Sequence, residues 1–133
     1  MVVVVIIGIL AALATQRFSI LLDKSKEGYT KAALSTLRTA ISVYYADNLG
    51  KYPTDDLSSL LAGSKYLNSI PEVKIPRTAH QVTAAIALGA STAAYITDAG
   101  GWAYINDPSD RGWGQLAVNC THQDITGEAW SGF

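Results

Sequence analysis

Apolar and polar positions divide this chain into stretches of different rhythm. Met1 to Thr15, MVVVVIIGILAALAT, carries no charge and almost no polarity, so no face differs from another. From Phe18 onward apolar residues recur at helical spacing: Phe18, Leu22, Tyr29, Ala33, Leu37, Ala40 and Tyr44, with Leu34, Ile41 and Tyr45 beside them. Glu27 and Lys31 are an i,i+4 pair in the favourable order. No proline precedes Pro53, and the first strong stop is Asn48-Leu49-Gly50. The pattern predicts one helix from near Met1 to about Asn48, about 70 Å long. A compact fold of this size is only roughly 30–40 Å across, so half the helix must stick out. That half is apolar all round and calls for lipid or other protein around it. A buried strand is the competing reading of a Val/Ile-rich run. Fifteen residues exceed one strand, and the run leads straight into the helical pattern.

After Gly50 the rhythm turns to turn chemistry. Tyr52-Pro53-Thr54 leads into DDLSSLLAG, read as a short helix with Thr54 as N-cap, Asp55 and Asp56 at its positive end and Gly63 closing it. Pro71 and Pro76 mark a loop-like stretch, and an undecided Ala/Thr-rich segment follows from about His80 to Ala94. Strands are expected at Ala93–Thr97, Gly101–Asn106 and Gln115–Cys120, with a short one near Glu128–Trp130. Asp98-Ala99-Gly100, Asp107-Pro108-Ser109-Asp110 and Asp124–Gly127 break them. Such short connections imply an antiparallel sheet. The expected architecture is α+β: a long N-terminal helical spine whose C-terminal half packs on a small antiparallel sheet head. The chain divides as 1–16, an apolar membrane or filament-core segment; 17–48, its amphipathic continuation; 49–92, a connecting region; and 93–133, the sheet head.

Composition narrows the function classes. The 133 residues are 49% hydrophobic and 16% charged, with a net charge of −1, which excludes a disordered chain and a broadly basic nucleic-acid binder. Charge is unevenly placed: none lies in Met1–Gln16, six basic residues oppose three acidic ones from Arg17 to Lys51, and four oppose eight from Tyr52 onward. An apolar end, a basic middle and an acidic head suit a molecule that stacks on its own copies, with a salt-screened contribution from charge. One cysteine excludes an intrachain disulfide framework and a cysteine-rich zinc site.

Candidate chemistry is sparse. Ser19 and Ser25 lack an evident base, and His80 and His122 lie in poorly patterned segments. Cys120 is in phase with Leu116 and Val118 and reads as a buried structural thiol. No phosphate loop, zinc spacing or lipase elbow is present. No catalytic residue, cofactor or metal is therefore assigned. Asp107, Asp110 and Asp124 are the acids a calcium ion would gather, but Asp before Pro or Gly is mostly turn chemistry. Asn119-Cys120-Thr121 fits the N-glycosylation pattern and reads as chance. Phe18, Tyr29, Tyr44 and Tyr45 are assigned to helix packing in preference to electron conduction. The helix's basic residues are too few and too often paired to support DNA binding.

The first 18 residues carry a resemblance. Val2, Val3, Val4, Val5, Ile6 and Ile7, then Gly8-Ile9-Leu10-Ala11-Ala12 with Leu13 and Ala14, then Phe18, resemble the N-terminal helix of type IV pilins and of the pseudopilins of type II secretion. The close match covers about 25 residues; the head matches in layout alone. The resemblance implies a structural subunit, not an enzyme, that polymerises through Val2–Ala14 into a helical surface filament for adhesion, motility or attachment. It implies passage through the inner membrane, then export into an extracellular filament, with a prepilin peptidase and a pilus assembly machinery as partners. It further implies a cleaved basic leader, an N-methylated first residue and a docking glutamate. These would precede Met1, so the sequence is expected to start inside the mature helix. Two features depart from the pattern: Thr15-Gln16-Arg17 stands where a helix proline is usual, and Cys120 has no disulfide partner. A periplasmic pseudopilin piston, favoured by calcium dependence, is the alternative. A secreted or membrane-tethered binding domain is a second, with Ala12-Leu13-Ala14 as a signal-cleavage site.

Overall fold

The computed structural model describes the backbone of residues 1–133 and every side chain except that of Gln16. Helix α1 runs from Val2 to Asp47 without a break, through the stretch at residues 15–17 where the resembled family has its proline. Its length is about 69 Å. It ends at the expected stop. The Asn48 N–H and side-chain amide both donate to the Tyr44 carbonyl, at 2.9 and 2.8 Å. Leu49 and Gly50 then take positive φ of 56° and 80°, and the Gly50 N–H closes on the Tyr45 carbonyl at 3.0 Å.

Burial along α1 changes character at Glu27. Before it, no described side chain of the helix is buried; from it on, Glu27, Thr30, Ala33, Leu34, Leu37, Ala40 and Ile41 are, at the spacing of one helical stripe. That stripe packs on a three-stranded sheet of strands β1 (Ile86–Gly89), β2 (Trp102–Ile105) and β3 (Leu116–Val118) in spatial order β1-β2-β3. Trp102, Tyr104, Leu116 and Val118 share the helix-facing core with Leu37, Leu57, Leu60, Val73 and Trp130. The alternate residues Ala103, Ile105 and Ala117 are buried too, so the sheet is covered on both faces. Two core aromatics use their polar tips on the surrounding loops: Trp102 Nε1 donates to the Pro71 carbonyl at 2.8 Å and the Tyr104 hydroxyl to the Pro53 carbonyl at 2.7 Å.

The sheet is mixed, not antiparallel. β2 and β3 pair antiparallel with Trp102 opposite Val118, as the short connection requires, but β1 pairs parallel to β2 with Ile86 opposite Trp102. The expected strand Ala93–Thr97 is not one; it belongs to the return from the end of β1 to the start of β2. A parallel neighbour needs a crossover of about a dozen residues, and residues 90–101 supply it. The true edge strand lies inside the undecided Ala/Thr-rich segment. Glu128–Trp130 likewise forms no ladder: Ala129 makes a single bridge to Gln123, and Trp130–Gly132 is a 3-10 turn.

The DDLSSLLAG helix is also corrected, to two 3-10 turns at Ser58–Leu60 and Ala62–Ser64. Leu57, not Thr54, is at the N-cap position of the first, and the Asp55 carboxylate braces the entry to it. That carboxylate accepts from the Leu57 and Ser59 N–H groups and from both the Ser58 and Ser59 hydroxyls. Leu57 sits at φ 65°, which lets both Leu57 and Leu60 reach the core. Those two burials override a helix too short to sustain itself.

Candidate functional site

The first half of α1 is unpartnered among the described residues. Its large apolar side chains Val2 to Leu13, with Phe18, Leu21 and Leu22, are 46–72% exposed. An 18-residue stretch of this helix has mean hydropathy 2.0, and none of it is buried. Arg17 carries the one charged side chain before Asp23. From Val2 to Leu22 the helix therefore covers about 32 Å, close to the roughly 30 Å of a bilayer's hydrocarbon core, with the Arg17 stem able to snorkel. The helix is thus long and apolar enough to cross a membrane, a property that signal sequences share. The run Met1–Thr15 alone covers only about 22 Å; Phe18, Ile20, Leu21 and Leu22 extend it.

The four aromatics assigned to helix packing have separate environments. Tyr44 lies in the helix–head seam and meets Tyr66 edge-on, with ring centroids 5.5 Å apart. Tyr45 stacks on Tyr52 at 4.4 Å. Tyr29 is half exposed under the Lys74 ammonium, 4.3 Å from its ring centroid. Phe18 is exposed on the projecting half.

Where the seam ends, charged groups of α1 hold the C-terminal residues. Lys31 Nζ lies 2.6 Å from Asp124 Oδ2, whose side chain is fully buried, and 3.9 Å from the Phe133 ring centroid. Glu27 accepts from the Ile125 N–H at 3.0 Å. The Arg38 guanidinium donates to the carbonyls of Leu116 and Phe133. Burial works to raise the Asp124 carboxyl. The Lys31 hydrogen bond, with those from Thr126 and the Glu128 N–H, overrides it and holds the group well below the usual carboxylate range. The C-terminal segment is thus fastened to the helix by ion pairing and hydrogen bonds.

The three aspartates weighed as calcium acids each have local partners. Asp124 is committed to Lys31 and to its own turn. Asp107 accepts from the Ser109 N–H and hydroxyl, and Asp110 from the Gly112 N–H. The sequon residue Asn119 is fully buried, its amide oxygen accepting the Thr97 and Asp98 N–H groups, which leaves no acceptor surface. Ser19 and Ser25 are exposed on α1.

The histidines are another matter. His80 and His122, from poorly patterned segments, converge with Asp98 and Cys120 so that one donor atom from each lies within 4.8 Å of all the others. Burial pushes the Cys120 thiol up, while the hydrogen bond from the Thr121 N–H holds the Asp98 carboxyl down. The sequence held one local signal of this cluster: Cys120-Thr121-His122 places two ligand types at the period-2 spacing of an extended strand. Comparison of the chain with family models, curated proteins and solved structures finds no match.

Proposed function

We propose that the chain is the structural subunit of a type IV pilin-like helical surface filament, assembled through the projecting half of α1. The observation that carries this reading is the bare helix: some 22 mostly apolar residues, with Arg17 their one charged side chain, stand clear of a packed head. Water is not a tolerable surround for such a surface. The resemblance of Val2–Ala14 and Phe18 to pilin helices names the surround: the inner membrane first, then equivalent helices of other copies in a filament core.

Moving the helix from lipid to a protein core exchanges one apolar medium for another, so packing between side chains rather than the hydrophobic effect holds the assembled state. The contact is head-to-tail and does not close, which yields an open fibre instead of a ring. The assembly machinery and a prepilin peptidase are the partners this reading requires. Filaments sheared from cells expressing the complete gene, viewed by electron microscopy and analysed by mass spectrometry, are expected to contain this chain with its apolar helix intact. Val4→Asp is expected to abolish them while the head stays folded. Normal filaments from that variant, or a secreted protein beginning near Thr15, overturn the proposal.

A further inference from the structure

The four side chains gathered beside the sheet have the composition of a transition-metal site: one thiol, two imidazoles and one carboxylate. Cys120 Sγ lies 3.3 Å from His122 Nδ1. Asp98 Oδ1 lies 3.5 Å from that same nitrogen and 3.4 Å from His80 Nε2. Tetrahedral zinc with bonds of 2.0–2.3 Å places its ligand atoms about 3.3–3.7 Å apart. Three edges of the tetrahedron are therefore already present, and the widest pair, within 4.8 Å, needs about an ångström of closure. We propose that His80 Nε2, Asp98, Cys120 Sγ and His122 Nδ1 bind a structural Zn2+ ion in the head.

A second observation points the same way. His80 Nε2 is buried and makes no hydrogen bond, although Asp98 is near. A buried polar atom left so is costly, and a metal bond would satisfy it. Backbone donors brace two of the ligands: the His122 N–H donates to Cys120 Sγ at 3.3 Å, and the Thr121 N–H fixes Asp98 at 2.7 Å. Cys120 is fully buried while His122 and Asp98 are part exposed, which gives an ion an entry path. Calcium and magnesium do not fit, since they take oxygen ligands almost exclusively and this cluster offers a single carboxylate. On binding, the Cys120 thiol proton passes to solvent as its sulfur lone pair forms the metal bond. No oxidant or reductant is involved.

The ion would staple three segments distant in sequence: the loop at His80, the turn at Asp98 that precedes Gly100 and Gly101, and the exit of β3. That turn is constrained. Gly100 and Gly101 sit at φ 80° and 75°, and a Cβ on Gly101 would run into the Ala85 carbonyl. A zinc clamp there would secure the parallel β1–β2 edge in a chain whose lone cysteine cannot form an intrachain disulfide.

The test is an anaerobic titration of the chelator-treated, detergent-solubilised full chain with Zn2+ and, as a spectroscopic probe, Co2+. One equivalent should bind. Co2+ should show the visible bands of a tetrahedral ion and a thiolate-to-cobalt charge-transfer band that Cys120→Ser abolishes. His80→Ala, Asp98→Asn and His122→Ala should each weaken zinc affinity by more than about 100-fold, beyond the 10–100-fold of a merely supporting residue, whereas Asp107→Asn should leave it unchanged. At free zinc about a hundred times Kd, Tm of the head should rise by about 10 °C. X-ray absorption on the zinc-loaded wild type, expected to report one sulfur among nitrogen and oxygen neighbours, decides the matter even where a variant fails to fold. No stoichiometric binding, a cobalt spectrum without the thiolate band, or zinc bound without sulfur overturns the proposal.

Discussion

Lys31 belongs by sequence to the helix and by contact to the far end of the chain, and its partner Asp124 is buried where an unpaired carboxylate could not stay ionised cheaply. The sequence paired Lys31 with Glu27, one turn away. In the fold Glu27 instead accepts from Ile125 and Lys31 takes the buried Asp124, because tertiary partners out of water outweigh an exposed helical pair of a few tenths of a kcal/mol. Lys31→Met is therefore expected to cost about 1.5–3 kcal/mol at neutral pH, measured by urea unfolding of the head. The pH dependence follows from the sign of the shift. Asp124 is lowered in the folded state, so its stabilisation is complete above the ordinary value of 3.8 and drains away as pH falls from there through the lowered one. The gap between wild type and Lys31→Met should accordingly close on acidification; a gap constant from neutral pH to about pH 2 would show that the ion pair is not its source. Single residues were where the sequence was least informative. Asp107 and Asp110 could be read as turn formers from their neighbours, but no local pattern joins His80 or Asp98 to Cys120, since only the folded sheet brings them together.

At the scale of elements, α1 is two helices in one. Leu37 is fully buried in the seam, whereas Leu13 is 60% exposed on the projecting half. Leu37→Ala is expected to destabilise the head by about 2.7–5 kcal/mol, the transfer and cavity cost of a closed core site. Leu13→Ala should leave head stability within about 0.5 kcal/mol and act, under the filament reading, on assembly alone. Thermal unfolding of both variants in detergent checks the contrast, and comparable losses would mean that the two halves are one cooperative unit. The same division explains what could be read in advance. The 46-residue helix announced itself through a long period and a strong stop at Asn48-Leu49-Gly50, both local signals. β1 did not, because Ile86–Gly89 is a four-residue strand whose identity comes from pairing parallel to Trp102–Ile105. A non-local pairing through a helix-free crossover leaves little trace in periodicity. Asp55–Gly63 misled for the converse reason: it has the caps of a helix, but Leu57 and Leu60 must both face the core.

The whole molecule is a closed head on a long apolar stem, and the two parts obey different solvents. No described side chain from Val2 to Leu22 is buried against the head, and the core cluster begins, along α1, at Ala33. The head also carries its own fastenings to the amphipathic half of the helix: Thr30 exchanges hydrogen bonds with Lys74 in both directions, Lys31 holds Asp124 and Arg38 holds Phe133. All of these lie beyond the stem. A protein of residues 24–133 is therefore expected to be a water-soluble monomer with the Tm of the full chain in detergent. Its loss of the Asp23–Arg77 pair, an exposed contact at 2.9 Å, should cost no more than about 1 kcal/mol. Sedimentation equilibrium and calorimetry on the truncated protein are the measurements. A monomer of unchanged Tm places the burden of association on the stem, which makes the head an independently folded cargo that any stem-driven assembly could display. Aggregation, or a Tm lower by more than about 8 °C, more than loss of a surface ion pair would produce, would mean that the stem contributes to the head's fold. The Val4→Asp test would then no longer separate assembly from folding.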